Sequence, residues 1–282
     1  MSLGPGSQSK LFVRANLSNF ILEQSKYVFN LNLWDKFIIW RYTLGSGSLN
    51  AFLIGITTNF SINREERTNY WTFLTFKYFN YPLNIITTDF KKYTEYFKNP
   101  DKFNLLDKEA KLHLSLNLIQ SYVTALQNII NNAPSVREPF TVYKTSGDYP
   151  GLPDKNHFKP TKVLQLPFNS TTYDPQFNFA PFTSPDADCC MFEIVISKGI
   201  KVLYIPSEIH AYPHEREILL PMNITLDIIY SGKVELDYIS LNDSKFIETQ
   251  KHPLHIGEVY RVDPLAKPIV KRKKMNLYGA TI

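Results

Sequence analysis

Glu215 and Glu217 stand two apart at the head of an apolar run, in the segment Tyr212-Pro213-His214-Glu215-Arg216-Glu217-Ile218-Leu219-Leu220-Pro221. In an extended strand, residues i and i+2 point to the same face. The spacing therefore predicts two carboxylates projecting side by side from a strand over 215–220. Two carboxylates so close repel, and one is pushed toward its protonated form unless a cation sits between them. A cationic substrate would relieve that repulsion. Taken alone, a Glu-X-Glu pair is usually two solvated glutamates on an edge strand. A second segment, Phe168-Asn169-Ser170-Thr171-Thr172-Tyr173-Asp174-Pro175, carries three consecutive hydroxyls ahead of a turn signal. In isolation this is a strand-to-turn junction, where Ser and Thr bond locally. A third, Thr141-Val142-Tyr143-Lys144, is a strand ending in a cation.

Other reactive residue types form no comparable set. His210 and His214 stand four apart beside Glu208 and Glu215, a spacing that could hold zinc on a helix. Pro206 and Pro213 argue against a helix there, so no metal is expected. Cys189 and Cys190 are adjacent, so they cannot staple distant elements and have no zinc spacing. Asn59-Phe60-Ser61 is a glycosylation sequon of the kind an Asn-rich chain produces by chance. No glycine-rich loop follows a strand, which excludes a Rossmann or P-loop nucleotide site. The basic run Lys271-Arg272-Lys273-Lys274 is short and reads as a solvated tail rather than a nucleic-acid contact.

The elements that must position these groups change character near residue 138. Upstream, Gly and Pro are scarce and apolar residues recur at helical spacing. The clearest helix spans Asp107–Asn131: Leu112, Leu116, Ile119, Val123, Leu126 and Ile130 fall on one stripe, Asp107 is the expected N-cap, and Asn132-Ala133-Pro134 ends it. Shorter aromatic-rich helices are expected over 69–79 and 87–97. Downstream, strands are expected over 140–144, 192–196, 201–205, 215–220, 226–230, 234–239 and 258–262. Lys198-Gly199 turns one pair, and Ser231-Gly232 is a hairpin-length connection. Helices first and strands afterwards predict an α+β fold.

The expected organisation is a start over 1–9 that reads as an expression scar, a mainly helical portion over 10–137, and a β-rich core over 138–282 with a basic tail. The 282 residues, 44% hydrophobic and 20% charged, suffice for a core without staples and exclude wholesale disorder. A net charge of +5 falls short of a dedicated nucleic-acid binder. No apolar run reaches the roughly 18 residues of a membrane span.

The order and spacing of the three segments resemble the arginine-serine-glutamate class of mono-ADP-ribosyltransferases, which includes bacterial toxins and viral relatives. The resemblance runs from about Asp107 to Tyr230. It is best over Ser170–Pro175 and Phe192–Pro221, where Ile196-Ser197-Lys198-Gly199 looks like the family's strand-turn. It implies helices packed on a mixed or antiparallel β-sandwich, with the motifs meeting at an NAD-binding cleft. It makes Glu217 the catalytic glutamate, bonding a ribose hydroxyl of NAD and stabilising an oxocarbenium-like transition state as nicotinamide departs. The physics is that of glycosidic cleavage, where a carboxylate faces developing positive charge. Glu215 matches the upstream glutamate that goes with arginine as acceptor and could orient a guanidinium through a bidentate contact. Ser170 matches the brace of the catalytic glutamate. Thr171, with Tyr143 and Thr172, falls on the NAD side, and Tyr212 in the loop 206–214 matches an aromatic that touches the target protein.

The family's phosphate-binding arginine is replaced here by Lys144, which offers charge but no planar fork of donors. The expected activity is transfer of ADP-ribose from NAD, as substrate, onto an acceptor protein at arginine, without a metal and at an intracellular site of action. The alternatives are an NAD glycohydrolase on the same scaffold, an inactive protein-binding relative, or a basic nucleic-acid-binding module that uses the run Lys271-Arg272-Lys273-Lys274.

Overall fold

The computed structural model describes residues 6–46, 49–50, 52–53, 62–146, 161–165, 167–174, 189–212, 215–228, 231–242 and 246–263, with helices preceding Phe140 and strands following it. The sequon Asn59-Phe60-Ser61, His214 and the run Lys271–Lys274 lie outside the described residues. The fold is α+β, and its contacts divide the chain into two compact units.

The helical unit draws its described residues from Tyr27–Asn132 and Pro206–Pro213. Helix α1 (Gly6–Phe29) ends in it, having begun inside the segment that reads as a scar. Then come α2 (Leu33–Thr43), α3 (Ile62–Lys77), two 3₁₀ turns (Leu83–Ile85, Thr88–Tyr93), α4 (Thr94–Lys98), α5 (Asp101–Asn104) and α6 (Lys108–Asn132). The helix expected over 69–79 starts earlier, at Ile62, and the one expected over 87–97 is a 3₁₀ turn running into α4.

In α6 the 3.6-residue period is realised from Ser115 onward, where Ser115, Leu118, Ile119, Tyr122, Val123, Leu126, Ile129 and Ile130 are buried, while Leu112 and Leu116 of the expected stripe are only half-buried. Asp107 caps it, its Oδ1 accepting from the Ala110 N–H at 2.8 Å. Asp107→Ala should lower stability by about 1 kcal/mol, measured by denaturant unfolding. Aromatic rings fill the unit's core, with Trp34 meeting Phe37, Phe79, Phe90 and Phe97 at centroid distances of 4.7–5.8 Å.

The sheet unit comprises the described residues within Met1–Lys26, Ala133–Ile205 and His214–Ile282. Its strands are β1 (Phe140–Ser146), β2 (Thr161–Gln165), β3 (Asn169–Thr172), β4 (Cys189–Ile196), β5 (Leu203–Tyr204), β6 (Glu217–Leu220), β7 (Ile224–Ile228), β8 (Ser231–Asn242) and β9 (Phe246–Asp263). They form a nine-stranded sheet in the order β2-β7-β9-β4-β1-β3-β6-β5, with β8 joined to β9. The described pairings are antiparallel except β4 with β9. Among the described residues, Ser231-Gly232 opens β8 rather than turning a hairpin, and β7 and β8 each pair with β9. Gly199 does turn the chain, at φ 87°, a conformation that favours a residue without Cβ.

One face of the central strands carries the core. Phe140, Val142, Ile194, Ile196, Ile218 and Leu220 pack with Phe20 of α1, whose ring stands 4.6 Å from that of Phe140. Buried Gln24 on α1 donates to the Pro134 carbonyl at 2.8 Å and accepts from the Tyr204 N–H at 3.4 Å. Polar bonds thus seat α1 against this unit as well as apolar contact.

Candidate active site

Three adjacent strands, β1, β3 and β6, hold most of the residues singled out from the sequence. Tyr143 pairs with Thr172, and Thr172 pairs with Glu217, so the three lie in a row across the sheet. Residues directly opposite in antiparallel strands share a face. Side chains alternate along a strand, so Ser170, two before Thr172, is on that face as well. It is the face opposite the core cluster, to which Val142 and Ile218 belong. Tyr143, Ser170, Thr172 and Glu217 are therefore brought together on one side of the sheet.

Glu217 is the most enclosed of them, at 2% exposure. Its backbone is held from both sides, through the ladder to β3 and through its carbonyl, which accepts from the Ile205 N–H at 3.1 Å. Ser170 is exposed on this face, opposite Leu219.

Glu215 is positioned differently from its sequence expectation. The strand begins at Glu217, not at Glu215. Arg216 between them has φ 49°, in the left-handed region, so the period-two alternation is broken there. The two glutamates are close despite this: a carboxylate oxygen of each lies within 4.8 Å of the other. The kink, rather than a shared strand, brings them together. Arg216 is itself tied to the end of β3. Its guanidinium pairs with Asp174 at 2.5 Å, and its carbonyl accepts from the Tyr173 N–H at 3.5 Å. Thr172 Oγ1 accepts from the Asp174 N–H at 3.1 Å and closes the turn.

Lys144 and Thr171 are not brought to the Glu217 face. Lys144 follows Val142 by two residues and pairs with Phe192, which sets it on the core side. There its ammonium donates to Asn169 Oδ1, and the Asn169 amide donates to the Pro167 carbonyl at 3.0 Å. Thr171, opposite Ile218, donates its hydroxyl to the Ile218 carbonyl. Sequence reasoning passed over Asn169 and the Arg216–Asp174 pair. Asn169 carries no signal of its own inside the hydroxyl motif, and Asp174-Pro175 has the pattern of a turn.

The ammonium of half-buried Lys144 is enclosed, and desolvation lowers its pKa to about 8. In the unfolded chain it titrates near its ordinary value of about 10.4. Between those values the unfolded state binds more protons, so this residue makes stability rise with pH from about 8 to 10. Below that window both states carry the charge and its contribution is flat. Urea unfolding at pH 7.5 and 9.5 should therefore show wild type gaining on Lys144→Met. A constant difference would mean that the ammonium is solvated.

Tyr212 is 43% exposed in the segment Pro206–Pro213 of the helical unit. Its N–H donates to Nδ1 of buried His210 at 2.8 Å, which fixes the backbone at this point of the segment.

No family model and no curated protein sequence matches the chain. Solved structures do. BECa, an ADP-ribosylating toxin of a binary enterotoxin of C. perfringens solved with NADH, is 12% identical over 89% of this chain and 48% of its own, with a TM-score of 0.51. The chain thus spans about half the length of BECa. Plx2a, an ADP-ribosyltransferase toxin from Paenibacillus larvae, is 16% identical over 70% of this chain and 96% of its own, at a TM-score of 0.39. The Salmonella SpvB domain is 15% identical over 82% and 99%, at 0.46. The likeness to BECa shows the fold alone: helices with a largely antiparallel sheet, as in that structure.

Proposed function

We propose that the chain is a mono-ADP-ribosyltransferase that moves ADP-ribose from NAD onto arginine of an acceptor protein and releases nicotinamide. The observation that carries this reading is the buried Glu217, in register with Thr172 and Tyr143, with the Glu215 carboxylate beside it. A carboxylate held rigidly in a water-poor setting suits a reaction in which positive charge develops on a sugar carbon. The fold shared with BECa, which was solved with NADH, supports NAD as the substrate.

In the proposed reaction the bond between ribose C1 and the nicotinamide nitrogen breaks, and its electron pair leaves with nicotinamide. Glu217 accepts a hydrogen bond from a ribose hydroxyl and faces the charge that grows on C1. Ser170, two residues along β3 from the Thr172 that pairs with Glu217, braces the catalytic carboxylate. Tyr143 and Thr172 contact the nicotinamide-ribose half from the same face. A guanidinium nitrogen of the acceptor forms the new bond to C1, and its proton passes to Glu215. Tyr212 meets the acceptor protein. Lys144 and Thr171 support the site from the core side, holding β1 to β3 and β3 to β6.

Incubating the chain with NAD labelled in its adenylate half, together with host lysate or a simple alkylguanidine, tests the proposal. Label should appear on protein or on the guanidine, with nicotinamide released in equal amount. Label arriving on carboxylates or thiols instead would refute arginine as the acceptor. Absence of nicotinamide release would refute the activity.

A further inference from the structure

Glu217 and Glu215 are held by different means. Glu217 lies within the ladder, fixed by β3 on one side and Ile205 on the other. Glu215 lies before the strand and gains nothing from those bonds. The backbone reaches it through Arg216, which adopts φ 49° and so sets the direction in which the chain presents Glu215. That conformation is disfavoured for a residue with Cβ unless neighbouring contacts impose it. Among the described residues, the ion pair of Arg216 with Asp174 and the bond from the Tyr173 N–H to the Arg216 carbonyl are such contacts. Both partners come from the turn after β3, the strand that carries Ser170 and Thr172.

From this we infer that Arg216 and Asp174 are positioning residues that decide how cleaved NAD is partitioned between the guanidinium and water. The inference rests on the transferase reading above. NAD cleavage needs Glu217, which the ladder holds without the latch. Transfer needs in addition a correctly aimed Glu215, which the latch supplies. Opening the latch therefore shifts the backbone that presents Glu215 while the ladder keeps Glu217 in place. NAD is still cleaved, but water captures more of the sugar. A misplacement of about 1 Å in a group that removes a proton is enough to lower its step tenfold or more.

The test uses the full chain with NAD and an alkylguanidine, and measures ADP-ribosyl-guanidine and free ADP-ribose side by side. Asp174→Asn and Arg216→Ala should each lower the ratio of transfer to hydrolysis by about tenfold, with the KM for NAD unchanged. The exchanged pair, Arg216→Asp with Asp174→Arg, should restore much of the ratio, since Asp also tolerates a positive φ. The pair is partly exposed, with side-chain exposures of 53% and 23%, so the thermal midpoints should barely move. A parallel fall in both products, or no recovery in the exchanged pair, overturns the latch. A raised KM for NAD also overturns it, because Arg216 would then be touching the dinucleotide. A wild type that releases no nicotinamide overturns the transferase reading beneath it. An active wild type with unaltered variants overturns the latch alone.

Discussion

Replacing Glu217 by glutamine should slow nicotinamide release from NAD by about 10³-fold and leave the fold intact. The exchange keeps the size and planarity of a side chain that is only 2% exposed, so packing around it is preserved. The backbone bonds that locate it, to β3 and from Ile205, do not involve the side chain. What changes is the charge. A carboxylate beside C1 becomes more favourable as positive charge develops there, whereas an amide has no net charge to offer. Because the group is buried, that difference is screened less than it would be in water. The loss should fall on kcat, with NAD binding measured by calorimetry altered only a few-fold, since the interaction strengthens in the transition state. A Glu217→Gln variant that releases nicotinamide at the wild-type rate would remove Glu217 from the catalytic role and leave the proposed mechanism without its central group.

What the sequence made legible was local. The period of α6 and the cap at Asp107 depend on residues within a few positions of one another, and both were readable. The strand carrying Tyr143 and the apolar run after Glu217 were readable for the same reason. The partnerships were not. Cys189 on β4 pairs with Leu254 on β9, and no local pattern announces a parallel pairing across that separation. The order β1-β3-β6, which sets Tyr143, Thr172 and Glu217 in one row, is likewise a product of tertiary assembly.

Two residues show how a motif and its geometry can part. Arg216 carries no glycine or asparagine signal for a positive φ, so Glu-Arg-Glu reads as plain strand, yet contacts from the β3 turn impose the kink. Only the resemblance places Lys144 at the NAD phosphates. Alternation along Phe140, Val142 and Lys144 already put it on the apolar side, where it meets Asn169. Face parity is as much a property of the sequence as the motif is, and here the two pointed in different directions.

Glu215→Gln should separate the two halves of the proposed reaction. Arginine transfer should fall by about 10²-fold, while release of nicotinamide to water stays within a few-fold of wild type. A guanidinium is protonated at any physiological pH and is a poor nucleophile until it loses a proton. The base that takes that proton must sit beside the one that stabilises C1, and the two carboxylates come within 4.8 Å. Glu215 is half-buried and lies outside the β6 ladder, so one neighbour can be an incoming acceptor group while the other remains sealed. Glutamine in its place still accepts a hydrogen bond from a guanidinium but cannot take up a proton. Water at C1 needs less help, because its proton can pass to bulk solvent as the bond forms. Measuring both products from one reaction, as ADP-ribosyl-guanidine and ADP-ribose, compares the two fates of the same cleaved sugar. Equal losses in both would make Glu215 a partner of Glu217 in cleavage itself, and the division of labour between the two carboxylates would have to be given up.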